Sequence, residues 1–193
     1  MNKVKNLYRE LAKKYGRPEG QWKLWCKRPK TPKEKEEVII GAILTQRTNW
    51  KNVGLSINNL KAAGLCSLQR ISRLSPEKLA SLIKPSGFYK TKADYLLAAA
   101  KFFAKKPKEV RRDDLLLLRG VGKETADSIL LYALDKPIFV VDEYTRRLVK
   151  NKRLAEDLSY DRLQKLFEGN IAKSWQLYQD FHALIVIDGK NKK

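Results

Sequence analysis

Residues 117–130 read LLRGVGKETADSIL. A run of leucines ends in two glycines one residue apart, and a helical pattern begins straight after them. Gly120 and Gly122 can take backbone angles closed to other residues, and without side chains a backbone amide there can come close to an anion. The helix that starts near Lys123 aims its amide-rich end the same way. Leu117, Leu118 and Val121 are placed to anchor the turn between two helices. The pattern is that of a helix–hairpin–helix, an h-x-G-V-G turn that grips a nucleic-acid phosphate without reading sequence. GVG by itself is also common in ordinary corners, so the rest of the chain must decide.

Charge favours the phosphate reading. Lys and Arg total 41 against 21 Asp and Glu, a formal net charge of +20 over 193 residues. The excess is spread along the chain, which points to a polyanionic partner, nucleic acid ahead of a ribosome-associated or merely soluble basic protein. Apolar residues make up 43%, enough for a core and too many for wholesale disorder. The length suits one large domain or two small lobes. Two cysteines, Cys26 and Cys66, form no disulfide framework, so a reducing, cytoplasmic setting is expected. They also cannot supply a zinc or iron–sulfur site with four cysteine ligands. The opening MNKVKNLYRELAKKYG lacks the apolar block of a signal peptide, and Val4, Leu7, Leu11 and Tyr15 follow helical spacing. No apolar run approaches the roughly 20 residues that span a bilayer, so no membrane association is expected.

Along the chain, residues 17–35 are broken by prolines and a glycine and read as a long loop carrying Trp22 and Trp25. EEVIIGAILTQR and NWKNVGLSINNLKAAG read as helices, the second stopped by Gly64. SPEKLASLI carries Ser75 as cap and Pro76 in the first turn. KPSGFY is a turn, TKADYLLAAAKFFAKK a helix with small faces, and ETADSILLYAL a helix running to Asp135. After the Pro137 corner and IFVV, DEYTRRLVKN starts another helix with Asp142 at its edge. SYDRLQKLFEGN and SWQLYQDFHALIVI supply the last two. Only IFVV and IVI are β-rich, and both are short. The expected class is all-α, with about ten helices.

At this point LLLLRGVGKETADSILLYALDKPIFVVDEYTRRL resembles the signature region of the helix–hairpin–helix DNA glycosylases of the endonuclease III family. In that family the hairpin leads, through one helix, to an aspartate in a V-D-x-[HY]-x-x-R setting. Here Val141, Asp142, Tyr144 and Arg147 stand in that order. GAILTQRTNWKNV resembles the family's early helix and loop, and KPSGFYKTKADYL its G-[FLY]-Y-x-x-K-A segment, so most of residues 35–150 are covered. The resemblance implies two helical lobes with a DNA-binding cleft between them. One is the hairpin-bearing bundle, residues 33–136. The other joins the N- and C-terminal helices, residues 1–32 and 137–193. The implied partner is double-stranded DNA carrying a damaged base, met by a monomer.

Two departures bear on the chemistry. Bifunctional members carry a Schiff-base lysine two places after the second hairpin glycine. Here that place is Glu124, eighteen residues before Asp142 as in the family. Lys123 is one residue early, about 100° around a helix, and is expected to face elsewhere and contact phosphate or solvent. Many relatives also hold an iron–sulfur cluster near the C-terminus, and this chain has no cysteine after Cys66. No cofactor and no metal are expected. The cluster-less branch, with VVD followed by E/K-Y and a C-terminal F-H on a helix, resembles the bacterial 3-methyladenine glycosylases of the endonuclease III type.

The resemblance then assigns expected roles. Asp142 is the catalytic carboxylate, although a helix N-cap is its bland alternative. Trp25 and Trp50, with Trp22 behind, are candidates for an aromatic pocket that favours a cationic base, with core packing as the alternative. Glu124 joins them as a substrate-side residue. Gln46 sits where the family fills the gap left by a flipped base, and Phe88 where it wedges the opposite strand. Leu118, Gly120, Val121, Gly122, Lys123 and Phe88 form the DNA-contacting set. His182, the single histidine, reads as a structural residue of the last helix. The expected activity is a monofunctional glycosylase for alkylated purines. Its rivals are an endonuclease III-like glycosylase/AP lyase for oxidised pyrimidines or mismatches, and a non-catalytic DNA-binding protein.

Overall fold

Thr31 and Glu34 show how local chemistry sets the helix boundaries. In the computed structural model, which describes residues 2–191, the Glu34 amide donates to Thr31 Oγ1 at 3.3 Å while Glu34 Oε2 accepts from the Thr31 amide at 2.8 Å. This capping box, with Pro32 in the first turn, starts a helix inside the stretch expected to be loop. In chain order the α-helices are α1 Lys3–Tyr15, α2 Trp22–Trp25, α3 Pro32–Leu44, α4 Trp50–Ala62, α5 Leu68–Ile71, α6 Pro76–Leu82, α7 Tyr89–Ala104, α8 Arg112–Leu116, α9 Lys123–Ser128, α10 Glu143–Asn151, α11 Tyr160–Glu168 and α12 Trp175–Asn191. A 3₁₀ turn, Lys84–Ser86, precedes α7, and a π turn, Ile129–Ala133, follows α9. No strand occurs among the described residues, and none of their helices is long and apolar enough to cross a membrane.

The chain divides into two compact helical units, Pro29–Ile129 and Met1–Arg28 with Leu130–Lys193. The first, the hairpin unit, holds α3 to α9. Residues Val38–Leu44 of α3 are all buried, as a helix apolar all round must be. α7 packs on α3, α5 and α6, and its buried Ala93, Ala99 and Ala100 let those neighbours come close. α6 starts as the sequence predicts, with Ser75 Oγ accepting from the Lys78 amide at 3.2 Å. α8 packs on α9 to form the hairpin.

The second, the terminal unit, holds α1, α2 and α10 to α12, and α12 packs on both α1 and α10. Its core stacks Phe139 on Phe167 at 4.3 Å between ring centroids, with Phe181 edge-on to both. In IFVV, Phe139, Val140 and Val141 are buried without forming a strand, and side chains satisfy the Phe139 backbone. The Phe139 amide donates to Glu168 Oε1 at 2.8 Å, and Gln164 Nε2 donates to the Phe139 carbonyl at 2.7 Å. IVI lies inside α12. The helix expected to run unbroken to Asp135 widens at the π turn, where Gln179 Nε2 of α12 donates to the Leu131 carbonyl at 2.8 Å.

Candidate nucleic-acid interface and carboxylate site

Arg112 and Asp127 set the hairpin. The guanidinium of α8 donates to both carboxylate oxygens of α9, at 2.7 and 2.8 Å, and Asp127 is 0% exposed. Such a two-bonded pair fixes orientation as well as distance. Between the helices the Val121 amide donates to the Leu118 carbonyl at 3.0 Å and closes the turn. Val121 is buried and Leu118 half-buried, but Leu117 is 86% exposed and anchors nothing. Leu115 is buried in its place, since two residues along a helix is about 200° of rotation. Gly120 has φ +78°, and a Cβ there would come within 2.2 Å of the Tyr95 ring, so only glycine fits. Gly122 differs from expectation. Its φ of −92° suits any residue and nothing lies within 4 Å of its Cβ position. Gly122, Lys123 and Glu124 are all exposed at the start of α9.

The structure brings Gln46 to this turn. Its Nε2 donates to the Gly120 carbonyl at 2.9 Å and to Thr125 Oγ1 at 3.1 Å. Phe88 is 64% exposed and holds a left-handed backbone, φ +46°, just before α7. A non-glycine residue in that conformation costs about 1–3 kcal/mol and marks a position fixed by its surroundings. Lys92 does the fixing. Buried on α7, its ammonium donates to the Leu44 carbonyl at 2.8 Å and the Ser86 carbonyl at 2.6 Å. One cation thus ties the end of α3, which leads to Gln46, to the turn that leads to Phe88. Burial pushes the Lys92 pKa down to about 8. Trp50 is the first residue of α4, half-buried, behind an Asn49 cap.

In the terminal unit Asp142 caps α10. Its Oδ1 accepts from the Thr145 amide at 2.7 Å and from Thr145 Oγ1 at 2.9 Å. The side chain is 14% exposed, and Oδ2 lies 3.5 Å from His182 Nε2. Burial alone would raise its pKa. The charge of His182 and the two Thr145 donors outweigh that and hold the carboxyl below its ordinary value. The N-cap and an exposed anionic edge coexist, so the two readings of Asp142 do not compete.

Behind the carboxylate stands an aromatic cluster. Tyr132 of the π turn lies 5.1 Å from Trp25 and 5.6 Å from Trp22 between ring centroids, and Trp22 lies 5.8 Å from His182. Burial, reinforced by the nearby anions, pushes the Tyr132 hydroxyl well above its ordinary pKa, so it stays neutral. Trp25 therefore shares its unit with Asp142, whereas Trp50 belongs to the hairpin unit. Sequence reasoning did not place His182 or Tyr132 beside Asp142. Their separations of 40 and 10 residues carry no periodic signal. Cys26 and Cys66, one in each unit, do not provide the four thiolates of an iron–sulfur cluster.

Fold and site together define a class, all-α proteins of two helical units that pair a helix–hairpin–helix with a carboxylate at a helix N-cap. Residues 40–173 match the HhH-GPD superfamily of base excision DNA repair proteins, and the chain belongs to that family. It is 46% identical over 163 residues to a candidate DNA repair glycosylase of Methanocaldococcus jannaschii, with 78% of this chain and 74% of that protein covered. Among solved structures it resembles the 3-methyladenine DNA glycosylase of H. pylori bound to 1,N6-ethenoadenine. The TM-score is 0.80 and the identity 33%, over 98% of this chain and 96% of that one. A trapped endonuclease III–DNA covalent intermediate shares the fold, with TM-score 0.77 and 20% identity over 97% and 85% of the two chains.

Proposed function

We propose that this base excision DNA repair protein is a monofunctional DNA glycosylase that releases alkylated purines of the 3-methyladenine kind from double-stranded DNA, acting as a monomer. The observation that carries the reading is Asp142, a carboxylate held anionic at a helix N-cap with its side chain 14% exposed. The target nucleotide leaves the stack to be reached. The bond from C1′ to the base nitrogen then breaks, its electron pair leaves with the base, and the sugar passes through an oxocarbenium-like state. Asp142 stabilises that positive charge and orients the water that adds at C1′ and loses its proton. An alkylated purine already carries a positive charge and departs neutral, so no general acid is required. Trp25, 5% exposed and packed against Trp22 and the fully buried Tyr132, is the aromatic ring offered to such a base. Leu118, Gly120, Val121, Gly122 and Lys123 hold a backbone phosphate, Gln46 fills the vacated position, and Phe88 wedges the stack. Glu124 in the lysine's place supports hydrolysis without a lyase step. The 33% identity to a 3-methyladenine glycosylase over nearly the whole chain supports the substrate class.

The test uses duplex DNA methylated with radiolabelled methyl groups, wild type and Asp142→Asn, and chromatography of the released bases. Wild type is expected to release 3-methyladenine and leave the strand intact without alkali, and Asp142→Asn to release it about 10²- to 10³-fold more slowly. No release by wild type would remove the alkylpurine assignment and turn attention to oxidised pyrimidines and mismatches. Strand breaks without alkali would mean that an amine of the protein performs lyase chemistry.

A further inference from the structure

His182 is the chain's single histidine, 4% exposed, and its Nε2 is buried with no hydrogen-bond partner among the described residues. A ring nitrogen without a partner in a closed site needs an explanation. Its environment supplies one when the protons are counted. Nδ1 lies 2.7 Å from the Tyr132 hydroxyl, and that hydroxyl lies 3.2 Å from the Gln179 carbonyl. Tyr132 has one proton to give. With a neutral ring, Tyr132 donates to Nδ1, so the ring proton sits on Nε2 and points at Asp142. With an imidazolium, Nδ1–H donates to the Tyr132 oxygen, and Tyr132 turns its proton to Gln179. The remaining tautomer would aim a lone pair at a carboxylate 3.5 Å away.

We infer that His182 is a positioning residue for Asp142, presenting Nε2–H to Oδ2 in both of its protonation states, with Tyr132 as the two-way partner that makes this possible. Thr145 fixes one carboxylate oxygen and His182 orients the other. The carboxylate plane is then set before DNA arrives, as a preorganised charge must be. The inference rests on Asp142 carrying the reaction proposed above. Among the described residues Lys190, also on α12, is a further cation coupled to Asp142, and its ammonium donates to Gln21 Oε1 at 3.0 Å. Thr145 faces Asp142 from its own helix, and Tyr132 from the π turn.

A single histidine makes the measurement clean. Ring ¹⁵N shifts of the full chain report which nitrogen of neutral His182 carries the proton, and carboxyl ¹³C shifts report the titration of Asp142. The expected result is the Nε2–H tautomer in wild type. In His182→Gln, Asp142 should titrate higher, with a smaller rise in Lys190→Met. The acid limb of the excision rate should move up by the same amount, with kcat reduced and KM kept. Tyr132→Phe should mix the two tautomers. The inference is overturned if neutral His182 carries its proton on Nδ1, or if folded His182→Gln leaves the Asp142 titration unmoved and lowers activity equally at every pH. Should His182→Gln not fold, the wild-type ring shifts and Tyr132→Phe decide. The two resonance readouts need no substrate, so a wild type that releases no base would count against the proposed function and leave the pairing to its own result.

Discussion

Gln46 is held on the hairpin by Gly120. Its Nε2 donates to the Gly120 carbonyl at 2.9 Å, with Thr125 Oγ1 as a second acceptor at 3.1 Å. A side chain that enters the duplex must first leave both acceptors. Gln46→Ala exposes those acceptors to water at a half-buried turn, so stability should change by less than about 1 kcal/mol. Base release from duplex DNA should fall while release from single-stranded substrate persists. Assaying both substrates side by side checks this, and equal losses would count against insertion.

The two hairpin glycines should behave differently. At Gly120 an alanine meets both a positive φ and the Tyr95 ring, and Gly120→Ala should cost about 1–3 kcal/mol and weaken DNA binding. Gly122→Ala meets an extended backbone and open space but replaces the glycine N-cap of α9, so its melting temperature should fall only slightly and less than that of Gly120→Ala. Any loss of DNA affinity there reports the approach of a phosphate to the backbone. Thermal unfolding and binding at two salt concentrations separate the effects.

What could be read before any coordinates was local or periodic. The hairpin, the Ser75 cap, α7 and the cap at Asp142 are each written within a few residues. The Thr31–Glu34 capping box is local too, but it lies in a proline-broken stretch that reads as loop, so α3 starts earlier than the sequence predicts and α2 forms inside the expected loop. The π turn could not be read from its own residues, because the Gln179 amide that takes its Leu131 carbonyl lies 48 positions away. His182 beside Asp142 is the same kind of fact. The exposure of Leu117 follows from the shortness of α8, which presents one buried face and commits it to Leu115.

The Arg112–Asp127 pair should dominate the stability of the hairpin. Arg112→Met removes the guanidinium from a carboxylate that is fully buried, a change that costs about 3–5 kcal/mol. The double variant Arg112→Met/Asp127→Leu replaces the pair with apolar volume and should recover most of that loss. Urea unfolding of wild type, both single variants and the double variant measures the coupling. Additive losses would mean that the pair is not what holds α8 to α9.

Asp142→Asn isolates charge from capping, since asparagine caps a helix as well as aspartate does. Excision should fall by about 10²- to 10³-fold with the fold retained. Burial opposes ionisation of Asp142, but His182 and Thr145 prevail and depress its native pKa. A depressed carboxyl adds stability above its unfolded pKa of about 3.9, and loses it as pH falls through the lower native value. Wild type should therefore exceed Asp142→Asn in stability at neutral pH, with the gap closing in acid. Melting temperatures from pH 7 down to pH 3 test this, and a gap that widens in acid would reverse the assigned direction.

Glu124 offers the sharpest test of the proposed hydrolysis without a lyase step. It lies exposed in the first turn of α9, two places after Gly122, where lyase-competent relatives carry their lysine. A lysine amine there could add to C1′ of an abasic sugar, lose water to give an imine, and so set up loss of the 3′ phosphate. Wild type should give no borohydride-trapped complex with abasic DNA, and Glu124→Lys should gain one. Lys123, one position earlier and about 100° around the helix, should contribute only phosphate contact. Lys123→Ala should lower the salt dependence of binding by about one counterion and change nothing in trapping. A trapped complex in wild type that disappears in Lys123→Ala would show that the lysine reaches the sugar after all, and the hydrolytic assignment would fall with it.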